Sequence, residues 1–150
     1  MSTTLRHTGL VVVDLDRAIE FWCDTLGLKV LRRMEESGRD LASVMGLEDV
    51  TVTTVKLIDP NGGILELLRF HSHTDVPEWV GRIYSTGLSH VALTVDDVDA
   101  ICQKVAELGG SHNPVRLSSD GGAKMTFCRG PEGVLVELVE LVELVKDVGP

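Results

Sequence analysis

The chain has 150 residues, 43% of them hydrophobic, and a net charge of −9 at pH 7. This length fits one compact domain and leaves room for two small modules that share a sheet system. The negative charge opposes a phosphate backbone and so excludes nucleic acid as an expected partner, and no apolar run approaches the roughly 18 residues that a membrane-spanning helix needs.

The N-terminus and the cysteines indicate a reducing compartment. Residues 1–6 lack the basic, apolar and small-residue regions of a secretory signal, so we predict a cytoplasmic protein. The three cysteines, Cys23, Cys102 and Cys128, are widely spaced and form no Cys-x-x-Cys sequence. This usage predicts reduced, mostly buried thiols instead of a disulfide or zinc framework.

The first half of the chain predicts a strand, a helix and three further strands. Residues 5–13 have the alternation of a strand, with His7 on the face opposite the core. A helix follows, which Asp14 or Asp16 can cap and Gly27 ends. The remaining predictions are a short strand over residues 28–31, a loop with room for one helical turn over 32–49, and strands over 50–58 and 64–70.

The second half repeats this plan after a linker. Residues 71–86 are predicted as the linker, with a short helix around Trp79. The following elements are a strand over residues 88–95, a helix from Asp97, a short strand near 115–117, and strands over 124–129 and 134–142. A period of three in residues 137–144 fits neither a strand nor a helix, which leaves the end of the last strand open.

Two motifs occur once in each half and indicate a duplication. The sequence Pro-x-Gly-x3-Glu-Leu supplies Glu66 and Glu137, each six residues after its proline. His7 and His90 each lie near the start of a predicted strand and precede an Asp-x-Asp sequence by seven residues. The chain therefore carries a histidine and a glutamate at equivalent positions of two modules.

These four side chains are candidate metal ligands. Singly, a histidine near a strand end is more often structural, and a glutamate in a strand is more often exposed to solvent. Exposure alone does not explain why each glutamate has a histidine partner. If a twofold axis relates the modules, His7, Glu66, His90 and Glu137 can converge, and such a set suits one divalent ion of zinc, nickel, cobalt, manganese or iron(II).

Over residues 5–140 the sequence resembles the vicinal oxygen chelate superfamily, which includes glyoxalase I, methylmalonyl-CoA epimerase, extradiol dioxygenases, and the fosfomycin and bleomycin resistance proteins. The matching segments are Arg6 to Val12, Ala18 to Trp22, Leu26 to Leu28, Leu88 to Ala92 and the two Pro-x-Gly motifs.

The resemblance implies a single α+β domain over residues 1–150. It would consist of two β-α-β-β-β modules, about 5–70 and 87–142, joined by the linker 71–86 and forming a cupped, mixed sheet around one divalent ion. The positions that match the family's metal ligands are His7, Glu66, His90 and Glu137.

The full His/Glu/His/Glu set resembles that of glyoxalase I and related isomerases. It predicts a metal-dependent lyase or isomerase acting on a small substrate with two neighbouring oxygens. The ion would stabilise an enediolate while Glu137 or Glu66 moved the proton. The resemblance also favours a homodimer, and the linker 71–86 is long enough that we expect both modules of one cup to come from the same chain.

Three alternatives stay open. The epimerase has a catalytic carboxylate before the strand that corresponds to residues 50–57, where Glu48 or Asp49 could act, but it usually has glutamine in place of Glu66. An extradiol dioxygenase typically uses two histidines and one glutamate, so Glu66 argues against it. A non-catalytic resistance protein would sequester a small molecule. In any of these, Lys124 or Arg129 could meet an anionic end of the ligand.

Overall fold

The computed structural model describes residues 2–77 and 82–142, and the chain divides into two compact units, Met1–Glu78 and Trp79–Pro150. Each unit builds its own sheet. In the described part of the chain, no helix is long and apolar enough to cross a membrane. The helix predicted around Trp79 and the end of the tail after Val142 lie outside the described residues.

The first unit has the element order β1, α1, β2, α2, β3, β4. The bounds are β1 Thr8–Val11, α1 Leu15–Ile19, β2 Lys29–Ser37, α2 Arg39–Met45, β3 Thr51–Ile58 and β4 Ile64–Phe70. A π-helical turn, Glu20–Thr25, continues α1. The strand order is β1-β4-β3-β2, in which β1 is parallel to β4 and the other neighbours are antiparallel.

The prediction of a loop over residues 32–49 is wrong. β2 runs on to Ser37 and pairs with β3 along its length, and α2 follows directly. β2 is an edge strand with mostly exposed side chains, so backbone hydrogen bonds hold it without a buried face. Its polar sequence therefore has little alternation. α2 buries only Ala42, and a helix with so small a buried face shows little helical periodicity in its sequence.

The core of the first unit occupies one face of its sheet, which leaves the opposite face for a functional site. Phe21 and Trp22, on the π-helical turn, are buried, and α1 contacts β4. The buried residues of the central strands include Val55, Leu57, Leu65 and Leu67. Since successive strand residues point to opposite faces, Lys56 and Glu66 lie on the face opposite these four. The predicted capping of α1 is confirmed, because Asp14 accepts a hydrogen bond from the Arg17 amide at 3.0 Å.

The second unit repeats this topology without the equivalent of α2. The bounds are β5 Val91–Thr94, α3 Val98–Glu107, β6 Ser111–His112, β7 Arg116–Leu117, β8 Ala123–Arg129 and β9 Leu135–Leu141. The order is β5-β9-β8-β6, β7 also pairs with β8, and β5 is parallel to β9. Asp97 caps α3 through the Ala100 amide at 2.9 Å. The α+β fold with two β-α-β-β-β modules and mixed sheets is confirmed, and the last strand ends at Leu141.

The cysteines match their prediction. All three are free, Cys102 and Cys128 are buried, and Cys23 is half-buried. Burial raises the pKa of the Cys128 thiol to about 11, with a smaller contribution from Cys102. The thiol therefore stays neutral near pH 7, and it packs as an apolar side chain.

Candidate functional site

Each unit brings its predicted histidine next to its predicted glutamate. His7 Nε2 lies 3.2 Å from Glu66 Oε2 in the first unit, and His90 Nε2 lies 3.3 Å from Glu137 Oε2 in the second. The same ring nitrogen meets the same carboxylate oxygen at nearly the same distance in both. The repeated sequence motifs therefore correspond to a repeated side-chain geometry.

Strand register produces this geometry. In the parallel pair β1 and β4, Gly9 lies opposite Glu66, and in the pair β5 and β9, Ala92 lies opposite Glu137. The histidine precedes the glycine or alanine by two residues, so strand alternation directs it to the face that carries the glutamate.

Neither glutamate is an ordinary exposed strand residue. The side chain of Glu66 is 11% exposed and that of Glu137 is 21% exposed. A carboxylate withdrawn from water needs a compensating cation, metal or donor. The second ring nitrogens differ: His90 Nδ1 lies 2.8 Å from Ser89 Oγ, whereas His7 Nδ1 is buried without a hydrogen-bond partner among the described residues.

The residue opposite each glutamate on the next strand also differs. Lys56 faces Glu66 across β3 and β4, and its Nζ lies 2.9 Å from Glu66 Oε1. Phe127 faces Glu137 across β8 and β9, and its ring contacts His90 edge-on at a centroid distance of 5.1 Å. Lys56 was not among the residues predicted from sequence. The signal was present, since a symmetric hairpin between the strands predicted at 50–58 and 64–70 pairs residue 56 with residue 66.

The donor atoms suit a divalent ion. Two ligand atoms bound to one ion at about 2.1 Å are about 3.0 Å apart in octahedral and about 3.4 Å apart in tetrahedral geometry. The histidine to glutamate separations, 3.2 and 3.3 Å, fall between these values. Within either unit, the described residues include no group of three or more His, Cys, Asp or Glu placed to hold a metal ion. Each unit by itself thus offers two ligands.

The second unit contains a cavity of about 420 Å³ that shares Phe127 with the His90 contact. Its lining combines Arg82 and Arg129 with apolar residues, which include Ile83, Phe127 and Leu135. Neither arginine has an ion pair with a carboxylate in the described part of the chain. Such a cavity suits a small molecule with both apolar and anionic parts.

Two other residues singled out from sequence lie elsewhere. Lys124 Nζ is 3.1 Å from Glu140 Oε1, and this contact raises the pKa of the lysine, so its charge is already balanced. Glu48 is exposed in the loop between α2 and β3. It has no ion pair with His7 or Lys56 among the described residues.

Several known proteins are similar to this chain in sequence and in structure. Residues 4–138 match the Glyoxalase/Bleomycin resistance protein/Dioxygenase superfamily. The chain is 32% identical to a lactoylglutathione lyase of Escherichia coli O157:H7, over 90% of each chain, and 30% identical to a lactoylglutathione lyase of Neisseria meningitidis serogroup A, over 90% of this chain and 88% of that one. A crystal structure of a glyoxalase family protein from Bacillus cereus is 25% identical, has a TM-score of 0.87, and is matched over 95% of this chain and 96% of that chain.

Proposed function

Because the chain belongs to the glyoxalase/bleomycin resistance protein/dioxygenase superfamily, we propose that it is a metal-dependent lyase or isomerase of the glyoxalase kind. Its substrate would be a small molecule with two neighbouring oxygen atoms. Relatives named lactoylglutathione lyase support an enzyme of this kind. The observation that carries the proposal is the histidine to glutamate pair, present in both units with the same atoms in contact.

One divalent ion is proposed per two-module chain, with zinc, nickel, cobalt, manganese and iron(II) as candidates. The residues that would hold it are His7, Glu66, His90 and Glu137. Such an ion, when bound, polarises two substrate oxygens and stabilises the negative charge that develops on them. Glu66 and Glu137 would balance its charge, so the loaded site could accept an anionic form of the substrate.

Glu137 is the proposed proton carrier. Its Oε2 faces His90, so its other oxygen, Oε1, would take a proton from the carbon beside the substrate carbonyl and return it to the adjacent carbon. Phe127, opposite on β8, adds an apolar side chain that limits access of water to this carboxylate. The cavity that Phe127 shares would hold the part of the substrate that does not react.

Isotope exchange tests this function. The metal-loaded protein would be incubated in deuterated water with hemithioacetals of 2-oxoaldehydes and with 2-methyl-branched acyl thioesters. We expect deuterium at the carbon next to a carbonyl, without oxygen consumption, and loss of at least a hundredfold in rate for Glu137→Gln at saturating metal. Glu48→Gln is the matched control and should retain the wild-type rate.

Other outcomes would contradict the proposal. Oxygen-dependent ring cleavage of a catechol without exchange would identify a dioxygenase. Exchange on the acyl thioester that disappears in Glu48→Gln would identify an epimerase with a different catalytic carboxylate. Tight ligand binding with no turnover, which persists after chelator treatment, would identify a sequestering protein.

A further inference from the structure

The two glutamates have different neighbours, although their histidine contacts match. Glu66 has an ammonium group at 2.9 Å, whereas the residue in the same register position opposite Glu137 is the uncharged Phe127. This difference lies outside the histidine to glutamate pairs that the duplication repeats. Any effect of Lys56 therefore acts on Glu66 and has no counterpart at Glu137.

We propose that Lys56 is a positioning residue that holds Glu66 as a fixed, one-oxygen ligand and adds a positive charge to the metal-loaded site, so that the two glutamates have different tasks. This inference rests on the proposed function and deepens it. Glu66 stays in place while Glu137 moves the proton.

The contacts of Glu66 explain why its carboxylate would be a fixed, one-oxygen ligand. Oε1 meets Lys56 Nζ at 2.9 Å, and Oε2 meets His7 Nε2 at 3.2 Å. Because its two oxygens are engaged by Lys56 on β3 and by His7 just before β1, the carboxylate cannot rotate without breaking one contact. Lys56 is itself only 27% exposed, so the pair is better shielded than a surface ion pair, which contributes little. Oε2 alone remains for an ion.

The positive charge that Lys56 would add follows from a count of the charges around the proposed ion. The carboxylates of Glu66 and Glu137 would balance a divalent ion, and the ammonium of Lys56 would then leave one positive charge in excess. Positive charge close to the developing enediolate stabilises it, and the effect is larger in a partly desolvated site than in water. The same charge repels the ion, so an enzyme built this way binds its metal less tightly than its ligand set allows.

Cobalt binding distinguishes this role from a merely structural one. Lys56→Met removes the charge, Lys56→Arg retains it, and Lys29→Met is the matched control, since Lys29 is exposed on β2 of the same unit. Calorimetric titration with Co²⁺ should show binding about tenfold tighter for Lys56→Met, and near wild-type binding for the other two. The turnover number of Lys56→Met should fall about tenfold or more at saturating metal, with partial recovery in Lys56→Arg.

The opposite change in metal affinity would overturn the inference. We expect the removal of charge to outweigh the loosening of Glu66, so weaker or unchanged Co²⁺ binding by Lys56→Met would mean that Lys56 does no more than orient Glu66 or support the fold. Circular dichroism and the visible spectrum of bound Co²⁺ would show whether the fold and the ligand set are intact. The proposed function fails separately, if the wild-type protein does not bind Co²⁺ or if Glu137→Gln binds it equally well.

Discussion

At the scale of residues, the candidate site consists of two pairs in which a half-buried histidine meets a more deeply buried glutamate. A carboxylate in this setting is stable only with a partner that offsets its lost hydration. In the first unit Lys56 supplies that partner in addition to His7, but Glu137 has His90 as its charged or polar neighbour and Phe127 as an apolar one. Glu137 is therefore the carboxylate that depends more on an added cation.

This dependence predicts that His90→Ala and Glu137→Gln each lose metal. Purified variants should contain at least tenfold less divalent metal than the wild-type protein, measured by elemental analysis, because each change removes one of four proposed ligands. His112→Ala is the control, since His112 is exposed on β6 and outside the pair. Circular dichroism should show an unchanged fold, and full metal content in either variant would refute the assignment of ligands.

At the scale of elements, both units place their first strand parallel to their last and draw the site from that pair. The helix that follows the first strand begins in each case at an aspartate, Asp14 or Asp97, which accepts a hydrogen bond from a backbone amide three residues on. Helix α3 has a further acceptor, because Glu140 on β9 accepts a hydrogen bond from the Val98 amide at 2.9 Å. That bond ties α3 to the strand that carries Glu137.

The carboxyl group of Glu140 makes the free energy of unfolding depend on pH. The Val98 hydrogen bond lowers its pKa, and Lys124 lowers it further. A carboxyl group with a lowered pKa in the folded state adds stability above its unfolded pKa of about 4.3, and this stability is lost as pH falls through the folded value. Glu140→Gln should therefore be less stable than wild type at pH 7, with the difference shrinking below about pH 4.

Urea unfolding followed by circular dichroism between pH 3 and pH 7 would measure this difference in stability. That interval is chosen because it spans the ordinary glutamate pKa of about 4.3. Glu48→Gln, a change of the same type at an exposed loop residue, is the control and should match the wild-type profile at each pH. A constant difference between Glu140→Gln and wild type across the range would show that the charge of Glu140 does not contribute.

At the scale of the whole molecule, two compact units with matching topology each supply two proposed ligands. A four-ligand site must therefore use both units, from one chain or from two chains of the proposed homodimer. The second arrangement would make the dimer obligatory for activity, whereas the first would not.

Mixed dimers distinguish these arrangements. We expect a homodimer by sedimentation equilibrium, with each site built within one chain, so that His7→Ala and Glu137→Gln chains remain inactive when mixed and reassembled. Each chain then carries one defective site, and no intact set forms. Wild-type mixtures treated identically are the control, and recovery of activity in the mutant mixture would show that the sites are shared between chains.

The sequence by itself was sufficient for the duplication, for the order of most strands and helices, and for the two pairs His7 with Glu66 and His90 with Glu137. These depend on local alternation, on capping and turn residues, and on motifs repeated at fixed spacing, all of which can be read along the chain. The free, mostly buried cysteines also agree with the prediction from their number and spacing.

Only the tertiary structure decided the features that depend on neighbours across the sheet. β2 extends through polar residues because an edge strand is held by backbone hydrogen bonds to β3, which impose little pattern on its side chains. The ion pair of Lys56 with Glu66, and the apolar Phe127 in its place beside Glu137, follow from strand register. The burial of Glu66 arises when distant segments exclude water together, and no local pattern in the sequence encodes that desolvation.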